Sequence, residues 1–223
     1  MHMQTVFRIR RMSASLFFLA LSLLLSSCLP QISLKAGSND DAVVFFSTGF
    51  SQATAKTLQS INGADTNAPL FNKADVLSLL TSAGAVETSV SLPSATEITA
   101  TGTIPHLATH QISQAGIIAK NAHSLTLTLG PNQISAFYDL LNDDVKSYLD
   151  LLMIPALIGE KMSVAEYTDL LASMYGPTFA DEIVSGKLTI QLASPDGRKK
   201  LRETVTLGEL LTMQTERTWS VNF

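Results

Sequence analysis

Ser51 sits in TGFSQA, residues 48–53, between a run of strand formers and a helical pattern, which is where an α/β-hydrolase carries its nucleophile. Such an enzyme also needs a glycine two residues after the serine, and repeated parallel βα units to deliver an acid and a histidine. Ala53 occupies the glycine position and no such repeat is visible, so the expectation for Thr48 or Ser51 is capping of the helix that follows. His106 and His110 in PHLATHQ would share one face of a helix, as zinc-binding imidazoles do, and His123 would be the third ligand. Leu107 stands where a zinc peptidase has its water-activating glutamate, and Pro105 argues against a helix, so these histidines read as solvent-facing loop residues. Asp139, Asp143, Asp144 and Asp150 lack calcium-loop spacing and read as a solvated face. Arg198, Lys199, Lys200 and Arg202 follow a turn at Pro195; they suit anionic headgroups or a phosphate, but charge on an edge strand also blocks pairing with other chains. No catalytic residue, metal or cofactor is expected, and the alternative is a serine hydrolase using Ser51 or a histidine metal enzyme.

The one cysteine has a stronger context. Arg8, Arg10 and Arg11 precede Leu16–Leu25, apolar apart from Ser22 and about half of the roughly 20 residues needed to span a bilayer as a helix. Leu25, Ser26, Ser27 and Cys28 then follow. This resembles the bacterial lipobox, in which an apolar residue and two small ones precede an invariant cysteine. The resemblance implies diacylglyceryl transfer to the Cys28 sulfur, cleavage between Ser27 and Cys28, and acylation of the new amino terminus. One acyl chain binds a membrane marginally, whereas two or three anchor a domain without a spanning helix. The expected location is the bacterial cell envelope, and the absence of an aspartate at Leu29 favours the outer membrane. The membrane is then one partner, through the N-terminal lipid, with an envelope protein or a lipid ligand as a further one.

Loss of the leader at residues 1–27 removes three arginines, leaving 12 basic residues against 19 acidic ones and a net charge of −7 with histidine neutral. Nucleic-acid binding, which usually needs a basic patch, is not expected. With no second cysteine there is no disulfide, and at 46% hydrophobic the fold must rest on its core. Residues 28–41 read as a lipidated flexible tether, and 42–223 as a single α+β domain.

Within that domain AVVFFS, from Ala42, reads as a buried strand. Val76, Leu79 and Leu80 make a helical stripe after Asn72. Val86–Leu92 and Thr96–Ile104 flank a reversal at Pro93–Ala95, a hairpin signal, and Ser124–Leu129 alternates as a strand. Helices fill an insertion of about 131–186, including a capping box from Ser163 to Glu166. KLTIQLA, the turn at Pro195–Gly197, RKKLRETVTL and WSVNF return to strands. The expectation is a mostly antiparallel sheet covered by helices. This layout, with its closing tryptophan strand, resembles the LppM-like envelope lipoproteins, which implies a protein of the cell envelope that handles lipid. In YLDLLMIPALI, residues 148–158, only Asp150 is charged and Pro155 should break the helix. Burial is one expectation for it; the other is a groove walled by Leu152, Ile154, Leu157 and Met162, joined by the adaptable Met153 and Met174.

Mass spectrometry of the mature N-terminus should find it at Cys28 with an acylated sulfur, and Cys28→Ala should leave the precursor uncleaved or release the domain. An unmodified thiol would disprove the anchor.

Overall fold

Ile32, Leu34 and Ala36 alternate with Gln31, Ser33 and Lys35, a period of two that buries one face of a strand. In the computed structural model, which describes residues 30–223 apart from Asn62, Ala64 and Asn142 (and only the backbone at 144, 145, 147 and 148), this segment is strand β1, Gln31–Ala36. The expected leader, the expected cleavage site and Cys28 lie outside the described residues. The reading of 28–41 as a flexible tether is thus corrected: six of its residues, Gln31–Ala36, form a strand in the middle of the main sheet, so the described sheet starts at Gln31 rather than Ala42. What resembled the end of a tether, GSNDD, is the turn into β2, Asp41–Gly49. At Gly37 a Cβ would lie 1.9 Å from the Asp41 carboxylate, so a larger residue there would force that side chain to move.

β2 crosses over through α1, Gln52–Ile61, and α2, Lys73–Ser82, the latter capped by Asn72, to the expected hairpin of β3, Val86–Ser94, and β4, Glu97–Pro105. A short α3, Gln111–Gln114, leads to β5, Ile118–Lys120, and β6, Ser124–Leu129. The helical insertion comprises α4, Pro131–Asp139; α5, Asp143–Leu151; α6, Pro155–Ile158; α7, Val164–Tyr175; and α8, Pro177–Ser185. The chain ends with β7, Lys187–Ala193; β8, Lys200–Thr206; α9, Leu207–Leu211; and β9, Arg217–Asn222.

The fold is α+β. Six strands form a mixed sheet in the order β3-β4-β2-β1-β7-β8, in which β1–β7 is the parallel pair and the remaining ladders are antiparallel. A second, antiparallel sheet has the order β5-β6-β9. Paired residues share a face, so Ile32 with Ile190 and Leu34 with Leu192 point the same way. They meet Leu125, Leu127, Trp219 and Val221 of the small sheet in the main core. Cover on this face therefore comes largely from strands. Helix α2 covers the far side of it, over Val90, Ile98 and Ala100. A third cluster, around Tyr167, Leu171, Phe179 and Ile183, belongs to the helices alone.

A chain starting at Asp40 lacks the strand between β2 and β7 and should show no cooperative thermal transition, whereas one starting at Pro30 should show it. Leu34, 1% exposed, packs where the two sheets meet. Leu34→Ala should lower the unfolding free energy in urea by about 2–5 kcal/mol.

Candidate functional site

Ser51 is the residue before α1, and its hydroxyl oxygen accepts from the Thr54 backbone N–H at 3.2 Å, as a cap does. The same hydroxyl donates to Oε2 of Glu182 on α8 at 2.5 Å, and the Ser51 N–H donates to Oε1 at 2.6 Å. Buried Thr54 adds its hydroxyl to Oε2 at 2.5 Å. One carboxylate thus pins the start of α1 against α8.

Among the described residues no imidazole is hydrogen-bonded to Ser51. Gly49 pairs with Glu97 at one end of the β2–β4 ladder, just before Ser51, while Asp41 pairs with Pro105 at the other, just before His106. Eight strand steps separate the two ends, about 27 Å. His106 is exposed with φ 50°, and His110 caps α3, its Nδ1 accepting from the Ile112 N–H at 3.3 Å. The two therefore do not share a helix face. His123 is exposed in the turn before β6, its N–H donating to Asn121 Oδ1 at 2.8 Å. Among the described residues no three histidine, cysteine or acidic side chains are grouped to hold a metal ion.

Of the insertion's acids, Asp139 and Asp150 are exposed, as is the backbone position of Asp143, and Asp144 is described by its backbone alone. Asp150 accepts from the Tyr138 hydroxyl at 2.8 Å, a bond that raises the phenol's pKa, helped by desolvation and by the charges of Asp150, Asp139 and Asp143. Arg198, Lys199, Lys200 and Arg202 are exposed on the β7–β8 turn and the start of β8. Asp196 in that turn accepts from the Ser194 hydroxyl at 2.6 Å and from the Arg198 N–H at 3.0 Å, which holds its pKa below the ordinary value.

The residues expected to wall a groove are divided by the backbone. Ile154 is 4% exposed, and Leu152 and Met162 pack against the helical cluster, while Leu157 is half-buried. Tyr167 and Tyr175 donate their hydroxyls to the carbonyls of Leu152 and Leu151, at 2.8 and 2.6 Å, satisfying groups left open where α5 ends. Burial raises the Tyr167 pKa, so that phenol stays neutral and a donor.

Concavities lie beside that wall. A recess of about 430 Å³ between α1 and the end of α7 is lined by Lys56, Thr57, Ile61, Thr66, Met174 and Tyr175. A smaller one of about 120 Å³ shares Thr57 and Tyr175 and runs on to Pro177 and Phe179. Only Met174 of these was legible as a candidate. Leu58 and Ile61 show as a helical stripe, but nothing local says that α1 meets α7.

Comparison of the chain with protein-family models, curated proteins and solved structures finds no match.

The recess depends on α7, whose N-terminus is closed by the expected capping box. Ser163 donates its N–H at 2.8 Å and its hydroxyl at 2.7 Å to Glu166, holding that carboxyl below its ordinary pKa of 4.5. The folded pKa is the lower one, so the interaction stabilises fully above 4.5 and is lost as pH falls through the folded value. Urea unfolding from pH 7 to 3 should show Glu166→Gln losing less stability on acidification than the wild type. Parallel curves would rule this linkage out.

Proposed function

We propose that this chain is a membrane-anchored lipoprotein of the bacterial envelope, non-enzymatic, whose domain binds a partner protein or an amphiphile. The observation that carries the proposal is Cys28, the one cysteine, at the end of a leader with a lipobox. Among the described residues no helix is long and apolar enough to cross a membrane. The geometry around Ser51 supports binding over hydrolysis, because its hydroxyl is engaged by Glu182 and the Thr54 N–H, with no imidazole bonded to it among the described residues.

The binding half of the proposal draws on the recess between α1 and α7. Its walls combine Ile61, Met174 and the Tyr175 ring with Lys56 at the rim, a cation beside apolar surface. That combination suits an amphiphile with an anionic head and a hydrocarbon tail, the thioether of Met174 adapting to the tail. Met174 is 46% exposed, so it can be exchanged without opening the core.

A fluorescent long-chain fatty acid, titrated into the mature chain, should bind saturably. Met174→Glu should weaken it several-fold, and Lys56→Glu likewise, with the melting temperature unchanged. Undiminished binding by both variants would remove the recess as the site.

A further inference from the structure

The chain enters the fold at a defined end. The Pro30 carbonyl accepts from the Thr189 N–H at 2.8 Å, and Gln31 pairs with both Ser47 and Thr189. At this same end β2 leaves through Gly49 into α1, α8 enters β7 through Gly186, and β8 passes into α9. Helices α1 and α7 both pack on α8 around a cluster of their own, while α9 touches α7 and α8 and also sends Leu210 into the main core between the sheets. Helix α6 bridges α9 to α4. The first strand thus starts beside the helical layer, and the β7–β8 turn with Arg198, Lys199 and Lys200 lies at the opposite end, since Lys35 pairs with Ala193 and Ala193 with Lys200.

Only Leu29 and Pro30 separate Cys28 from Gln31, a reach of about 11 Å when fully extended. We infer that the helical layer of the domain rests directly on the lipid surface that holds the Cys28 anchor, an inference that itself rests on the lipoprotein reading above. A linker this short cannot hold α1 and α8, each about 15 Å long, clear of that surface. The side chains suit the contact. Of the ten exposed large hydrophobic residues among the described ones, Phe137, Leu140, Met153, Ile158, Val164 and Met174 belong to the helical insertion. Such side chains gain by entering the headgroup region.

Charge selects the kind of lipid. From Pro131 to Gly186 there are nine acidic residues and two lysines, so the insertion carries the mature chain's whole net charge of −7. An anionic bilayer repels that end and attracts the basic turn at the other. The occupant is therefore a surface of zwitterionic headgroups, such as phosphatidylethanolamine.

Once Cys28 is acylated the mature chain has no other thiol, so labels can be placed singly. Ile158→Cys, with Met153→Cys as a second position in the same layer, and Lys199→Cys at the far end would carry a polarity-sensitive fluorophore. The purified full-length mature lipoprotein is reconstituted into phosphatidylethanolamine–phosphatidylcholine vesicles containing a nitroxide-quencher lipid. The labels at 158 and 153 should be blue-shifted and quenched several-fold more than the one at 199, and the difference should shrink when phosphatidylglycerol replaces a third of the lipid. Equal quenching, or more at 199, with intact mass showing acylated Cys28, would overturn the orientation and leave the anchor standing. An intact mass showing unmodified Cys28 would overturn the anchor, and the orientation with it.

Discussion

The parallel pairing of β1 with β7 joins two halves that are otherwise built separately. β1 to β4 form one antiparallel block and β7–β8 another, and the ladder from Gln31–Thr189 to Lys35–Ala193 is the seam between them. Everything from the β4 end to α8 is an excursion that must return for β7 to find β1. The contacts are distant in sequence, so the closure entropy falls due before the pairing repays it. The small sheet reinforces the seam, because Leu125, Leu127, Trp219 and Val221 lie over Leu34, Ile190 and Leu192 in one core. That core is contiguous across the two blocks, and disturbing β1 affects both.

The helical layer is secured differently. Its apolar cluster is small, and polar contacts fix its parts in register: Glu182 takes three donors from Ser51 and Thr54, and Tyr167 and Tyr175 close the carbonyls of Leu152 and Leu151. A charged acceptor with several donors forms stronger bonds than a neutral pair. These contacts are specific about geometry, since each links a residue on one helix to a particular turn of another. Phe50, packed on the helical cluster and stacked 6.3 Å from Phe71, ties the layer back toward α2.

Much of the fold was legible where one segment decides its own structure. The β3–β4 hairpin, the alternation of β6, the Asn72 cap and the Ser163–Glu166 box all depend on neighbours within a few residues. β1 was misread although Ile32, Leu34 and Ala36 alternate in plain view, because six residues ending in GSNDD resemble a linker until the partner strands are known. β5, three residues long, carries too little pattern to be seen at all. The recess is less legible still, since Thr57, Ile61 and Tyr175 acquire a shared role only when α1 and α7 meet. Ser51 and His106 show the converse: spacing suggested chemistry, and the strand ladder holds them at opposite ends of the sheet.

The segment 148–158 joins local signal to surface character. A single helix through so apolar a run would either bury everything or expose a broad greasy face. Instead α5 stops at Leu151, and Met153 turns the chain with φ 44°, a left-handed conformation uncommon for a side chain with Cβ. Pro155 requires an extended residue before it, and Ile154 supplies one at φ −61° and ψ 113°. The reversal sends Ile154, Pro155 and Ala156 inward and leaves Met153 and Ile158 outside, 38% and 51% exposed. Gly159, at φ 76°, then ends α6 in a conformation that costs glycine little. The run is thus both core and surface, and the strained turn at Met153 separates the two. The turn at Met153 and the extended residue before Pro155 decide which apolar side chains the domain shows to its surroundings, so the local backbone, more than composition, sets the character of this face.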